Sequence, residues 1–249
     1  MYDLAVIVPV RRDSSRIANK AMLPFGGAGS LIEWKLRQLV RVIDPARLYL
    51  SSEDEEFLDI AERLGVSRHR RDRRLATAHI VPMSEVIAGV VSEIPHEHIA
   101  WCTVVCPLMP PGEYLRAFRA YREQVIEGSF DSLLGVNAMR EYFWADGKAL
   151  NYQANKAHIS SQDLPALLKV TNSIYMSRRQ DILDREYLIG DRPFMAELSR
   201  LSGVDIDYIE DYRIACALHA LYVEDRLDAI DPTLRIDWSR AAGALPAAA

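Results

Sequence analysis

Cysteine is scarce. Three residues in 249, Cys102, Cys106 and Cys216, are too few and too odd in number for a disulfide framework. Cys102 and Cys106 lie four apart inside an apolar run, and no further ligands follow at zinc-site spacing, so buried structural thiols are expected. No apolar run approaches the ~20 residues of a membrane span. The N-terminal apolar stretch runs only from Leu4 to Val10, between Asp3 and Arg11, and does not read as a signal peptide; a cytoplasmic protein is expected. A basic excess is also missing. The formal net charge is −5, which argues against nucleic acid as a partner and requires any anionic substrate to meet a local basic patch. The six histidines form no cluster. His96 and His98 read as solvated loop residues, and no catalytic triad or His-x-x-x-His pattern suggests a hydrolase.

With 49% hydrophobic and 26% charged residues, the chain has the composition of a folded globular protein. Leu4 to Val10 reads as a strand buried on both faces. After it, apolar runs alternate with amphipathic stretches. Helices are expected over 31–43, 53–64, 80–94, 113–127 and 209–221, the last with Ile209, Tyr212, Ala215, Cys216 and His219 inward. Strands are expected over 47–51, 66–69, 99–105, 132–136, 170–176 and 202–206. This alternation predicts an α/β fold, a mostly parallel sheet with helices on both faces. The rhythm breaks at about 138–170, a polar and aromatic insertion in which Asp146-Gly147 marks a hairpin turn. The chain is otherwise read as one domain over 1–249, with a low-complexity tail at Gly243–Ala249.

Two features carry chemistry. The first is the loop after the first strand, Pro9-Val10-Arg11-Arg12-Asp13-Ser14-Ser15-Arg16-Ile17-Ala18-Asn19-Lys20. It falls at the carboxyl edge of the sheet, where open α/β folds bind ligands. Its cations and hydroxyls suit a triphosphate, although the composition alone fits a solvated basic loop equally well. It is neither a P-loop nor a dinucleotide fingerprint. The second is Asp205-Ile206-Asp207, two carboxylates that can converge on a hard cation such as Mg²⁺. Asp207 with Glu210 three residues later also reads as a helix cap, and both roles can coexist.

The order of residues resembles the cytidylyltransferases that activate sugar acids, the CMP-sialic acid (acylneuraminate) and CMP-Kdo synthetases. The loop is similar to their Pro-Ala-Arg, Gly/Ser, basic and Lys signature. Further segments in family order are Ser51-Ser52-Glu53-Asp54-Glu55, Arg71 to Thr77, Asp131-Ser132, Gln162-Asp163-Leu164-Pro165, Asn172-Ser173-Ile174-Tyr175 and Asp205 to Asp211. The resemblance spans roughly 4–220, and its Asp-Ile-Asp pattern belongs to the sialic-acid side.

The resemblance implies a three-layer Rossmann-like nucleotidyltransferase fold with a dimerisation arm. It implies transfer of CMP from CTP to a small acidic acceptor of the nonulosonic type, with release of pyrophosphate, by a homodimer using Mg²⁺. Arg11, Arg16 and Lys20 would hold the phosphates, with Ser14, Ser15 and Asn19 beside them. Arg71 and Ala76 would border the base and ribose, and Asp205 and Asp207 would hold the metal. Thr103, Asn137, Tyr142, Gln162 and Phe194 are the acceptor-side candidates. The chain departs from the pattern at Thr103 to Met109, where the family's Gln and Arg are absent, and in the loop, which has lost its glycines. These departures leave a Kdo-type acid, a phosphonate, or a catalytically silent CTP-binding role as alternatives.

Overall fold

The computed structural model describes residues 2–12, 14, 16–76 and 81–223. The expected tail at Gly243–Ala249 lies outside the described residues. The chain opens with β1 (Leu4–Pro9), whose residues are all buried except half-buried Pro9. α1 (Leu31–Leu39) starts at Ser30, whose side chain accepts a hydrogen bond from the Glu33 N–H. β2 (Leu48–Ser52) leads to α2 (Glu55–Arg63), capped by Asp54 and closed by Gly65 at φ +68°. β3 (Ser67–Arg70), α3 (Met83–Ser92), β4 (His98–Trp101) and α4 (Pro111–Tyr121) follow, then β5 (Ser132–Met139).

β6 (Trp144–Ala145) and β7 (Lys148–Ala149) form the small hairpin of the insertion. Asp146 and Gly147 sit at its tip at φ +49° and +73°, the double positive φ that a two-residue hairpin turn requires. β8 (Leu167–Arg178), α5 (Arg179–Arg185), β9 (Pro193–Glu197) and α6 (Ile209–Leu218) complete the fold.

The main sheet has the order β3-β2-β1-β4-β8-β5-β9. β8 runs antiparallel to both neighbours, and the other pairings are parallel. β1 shows how the layers arise. Leu4, Val6 and Val8 join one apolar cluster with Leu31, Leu36, Phe57 and Tyr114 of α1, α2 and α4. Ala5 and Ile7 join another with Ile87, Val90 and Ile182 of α3 and α5. Both faces of the strand are therefore covered, which is why it reads as a continuous apolar run.

Several expectations shift. The strand expected at 202–206 is a 3₁₀ turn (Arg200–Gly203) and an extended segment outside the sheet. The edge position belongs to β9, whose leading Pro193 masks it in sequence. The strand expected over 99–105 leaves the sheet after Trp101. His98 is buried rather than solvated: Nδ1 lies 3.0 Å from the Tyr121 hydroxyl, and burial lowers its pKa. His96 is half-buried, 2.7 Å from Asp3. Ala215 on α6 and His219 just after it are buried, but Ile209 is exposed. Cys102 and Cys106 are fully buried thiols whose pKa is pushed up to about 12 by burial.

Candidate active site

A cavity of about 550 Å³ opens at the carboxyl ends of β1 and β4. The β1 loop contributes Arg11, Ser14, Arg16 and Lys20, and the exit of β3 contributes Arg71. The segment after β4 contributes Thr103, Val104 and Val105, and Asp207 approaches from before α6. Leu75, Val81, Met83, Val86 and Trp101 give the remaining wall an apolar surface. Five of the expected nucleotide-binding residues, separated by up to sixty positions in sequence, thus share one cavity with one of the two expected metal-binding carboxylates.

The polar geometry is closely specified. Arg16 Nη1 lies 2.5 Å from Asp207 Oδ2, and its guanidinium stacks over Tyr208 at 5.3 Å. Lys20 Nζ donates to the Ile206 carbonyl at 2.5 Å and lies 3.6 Å from Asp207 Oδ1. Asp207 is not the cap of α6. Tyr208 is the N-cap, and Asp211, at the third position of the helix, accepts from the Asp207 and Tyr208 N–H groups at 3.0 and 2.7 Å. The Asp207 carboxylate is thereby left to face the two cations.

Asp205 is held differently. Its Oδ2 accepts from Asn172 Nδ2 at 2.9 Å, while its Oδ1 is buried and has no hydrogen-bond partner among the described residues. Desolvation is the largest influence on this carboxyl and raises its pKa, with the neighbouring Asp207 charge acting in the same direction. A buried carboxylate oxygen without a partner, beside a second carboxylate, fits a divalent cation that completes its shell with phosphate and water. Among the described residues, no group of three or more His, Cys, Asp and Glu forms a protein-only metal cage. Such a cage is not what Mg²⁺ requires.

Asn172 is a residue the sequence reading did not single out for the site. It sits inside β8 at φ +57°, a left-handed conformation rare for a non-glycine. Its carboxamide donates to Asp205 and accepts from the Tyr175 hydroxyl at 2.6 Å, and its carbonyl accepts from Thr103 Oγ1 at 2.7 Å. The residue type was the available signal, since Asn tolerates αL better than most, but only the fold shows that its side chain reaches Asp205. Glu53 was likewise not assigned a role. It accepts from Arg71 Nη2 at 2.7 Å, and Arg71 also donates to the Val10 carbonyl at 2.8 Å, tying β2 to the β1 loop. Arg71 Nε is buried without a partner among the described residues.

Other expected residues fall elsewhere. Ser15, together with Thr77, lies outside the described residues. Asn19 is exposed at φ +51°, shaping the turn before Lys20 rather than lining the cavity. Ala76 is buried in a 3₁₀ turn, and its neighbour Leu75 reaches the cavity instead. Of the acceptor-side candidates, Thr103 alone lines the cavity. Asn137 is buried and donates to the Leu198 and Ser199 carbonyls, each at 2.9 Å. Tyr142 stacks on His158 within the insertion. Gln162 is exposed on the turn Ser161–Asp163, and Phe194 packs edge-on against Phe130 on β9. Met109, where the resembling family has Arg, is fully buried in the core.

A mostly parallel sheet with a cation-rich cavity at its carboxyl edge suits an α/β protein that binds a phosphorylated ligand. Residues 5–226 match the Cytidylyltransferase family model, and the chain belongs to that family, nucleotidyltransferases that take CMP from CTP. No curated protein matches the chain. Among solved structures it is similar to a CMP:2-keto-3-deoxy-manno-octonic acid synthetase complexed with CTP (TM-score 0.64, 14% identity, 88% of this chain and 99% of that chain). It is also similar to a 4-diphosphocytidyl-2C-methyl-D-erythritol synthase from Anaerococcus prevotii (TM-score 0.60, 12% identity, 87% and 95%). A third is a cytidylyltransferase from Leptospira borgpetersenii (TM-score 0.56, 15% identity, 95% and 98%). At these identities the likeness concerns the fold.

Proposed function

We propose that the protein transfers CMP from CTP to the hydroxyl of a sugar-like 2-keto acid, a nonulosonic acid, and releases pyrophosphate. The observation that carries this reading is the meeting of Arg16 and Lys20 with Asp207 at one cavity, with Asp205 beside them. Arg11, Arg16 and Lys20 hold the phosphates and neutralise the leaving pyrophosphate, with Ser14 as a hydroxyl donor. Arg71 lies on the nucleotide side, where Leu75 and Trp101 add an apolar wall. Asp205 and Asp207 are the residues that would hold Mg²⁺. When bound, the ion supplies charge neutralisation at the phosphates and lowers the pKa of the attacking hydroxyl. The acceptor hydroxyl oxygen attacks the α-phosphorus as its proton passes to solvent water, and the bond to the pyrophosphate oxygen breaks.

The Kdo-synthetase neighbour with bound CTP and the Asp205-Ile206-Asp207 pattern support a keto-acid acceptor. The insertion exposes Trp144 and Leu150 at 58% and 62%, which supports the homodimer in which each arm covers its partner. In this account the remaining acceptor contacts, including those of Tyr142 and Gln162, are made at that interface. No helix among the described residues is long and apolar enough to cross a membrane.

The test is pyrophosphate release from CTP and Mg²⁺ with N-acetylneuraminate, legionaminate, pseudaminate, Kdo and simple phosphonates. Release with a nonulosonic acid is expected. Release only with Kdo or a phosphonate replaces the acceptor, and silence with all of them while CTP binds removes the catalytic reading.

A further inference from the structure

Of the basic residues in the β1 loop, Arg11, Arg16 and Lys20 line the cavity, whereas Arg12 does not. Arg12 turns the other way. Its Nε and Nη2 fork onto Asp54, with Nη2 2.9 Å from Oδ1, and Nη2 also reaches Glu56. Its guanidinium carbon lies 4.7 Å from the centre of the Phe57 ring, and its backbone N–H donates to Glu53 Oε1 at 3.3 Å. The receiving side is rigid. Asp54 caps α2 by accepting from the Glu56 N–H at 3.0 Å, and Phe57 is fully buried in the core. A planar fork on a carboxylate fixes orientation as well as distance, which a lysine in the same place cannot do.

We infer that Arg12 is a positioning residue for nucleotide binding. It straps the loop to the first turn of α2, so that its neighbours Arg11 and Ser14 and the following Arg16 face the cavity before nucleotide arrives. The loop lacks glycine; it is tied at its strand end by the Val10–Ser51 and Arg71–Val10 bonds and at its far end by Arg16–Asp207 and Lys20–Ile206, which leaves its first turn to the Arg12 strap. Without the strap, its ordering would be charged to the binding step. Such a loss appears in the KM for CTP and not in kcat, because the bound loop ends in the same place. This inference rests on the assignment of Arg11, Arg16 and Lys20 to the triphosphate.

The experiment compares wild type, Arg12→Gln, Arg12→Lys, Asp54→Asn and the double variant Arg12→Gln/Asp54→Asn. CTP affinity is read by calorimetry, kcat and KM by pyrophosphate release, and folding by Tm. Arg12→Gln and Asp54→Asn are each expected to weaken CTP binding and raise its KM about five- to tenfold. Each should keep kcat within about twofold and Tm close to wild type. The double variant should lose no more than the worse single, and Arg12→Lys should fall between. Unchanged CTP affinity in Arg12→Gln overturns the inference. So does a loss in Arg12→Gln with none in Asp54→Asn, which would put Arg12 on the nucleotide itself. Failure of wild type to bind CTP instead overturns the reading of the site on which the inference depends.

Discussion

Arg16 and Asp207 are paired at 2.5 Å across the cavity, so the cation proposed for the phosphates and the carboxylate proposed for the metal neutralise each other. In the proposed reading, Asp207 competes with the triphosphate for Arg16 and Lys20, and a bound metal would relieve that competition. Replacement by Asn should strengthen CTP binding in the absence of divalent ions, while reducing metal-dependent turnover by about a hundredfold or more. A solvent-exposed ion pair is worth little, so the gain in affinity should be modest, about two- to fivefold. Calorimetry with EDTA, then with Mg²⁺, separates the two effects. Weaker metal-free binding in Asp207→Asn would refute the competition.

Asp205 offers a pH-dependent test. Burial raises its pKa, so the folded state holds the proton more tightly than the unfolded chain does. Its contribution to stability is then fully present below the ordinary carboxylate pKa and is lost as pH rises through the raised folded value. Asp205→Asn keeps an acceptor for Asn172 and carries no charge. The metal-free variant should have a Tm equal to or above wild type at pH 7, with the difference vanishing toward pH 3, and should show no metal-dependent stabilisation. Thermal melts across pH, with and without Mg²⁺, check this.

Lys35 is fully buried on α1, donating at 2.7 Å both to the Cys106 carbonyl and to the Tyr114 hydroxyl. Desolvation lowers its pKa to about 8 from the usual 10.5. Between those values the unfolded chain binds more protons than the folded one, so stability from this group increases with pH across that window. Lys35→Met should flatten the alkaline rise in the wild-type stability curve, measured as the difference between urea midpoints at pH 7 and pH 9.5. An unchanged pH slope would contradict the assignment.

Asn172 separates strain from orientation. Asn172→Gly relieves the φ of +57° but removes the carboxamide, whereas Asn172→Ala removes the carboxamide and keeps the strain. The alanine variant should be about 1 kcal/mol less stable than the glycine variant. Both should lose a similar part of their turnover, because neither can hold Asp205. Urea melts beside steady-state kinetics give the comparison.

The layered sheet was legible because β1 and the helices carry strong periodic signals: Leu4, Val6 and Val8 against Ala5 and Ile7 leave little choice but burial on both faces. The cavity's cations were legible because they are concentrated in a short loop at a strand end. β9 was not, since Pro193 begins it and its five residues carry no clear alternation. Asn137 and Phe194 fall away from the cavity for a related reason. Chain position gives the strand, but which face a bulged or edge strand turns toward a cavity is set by register, and the pairing of β5 with β8 shifts between Leu134 and Val136. The role of Arg12 was hidden by composition: a basic loop does not reveal which guanidinium faces a phosphate and which faces Asp54.

The central claim is CMP transfer at the Arg16–Lys20–Asp207 cavity. Its most direct test is detection by mass spectrometry of the CMP ester formed from CTP, Mg²⁺ and a nonulosonic acid, wild type beside Asp205→Asn. The account predicts the ester with stoichiometric pyrophosphate in wild type and its loss in the variant. Equal ester formation by both proteins, or its absence in wild type that binds CTP, would contradict it.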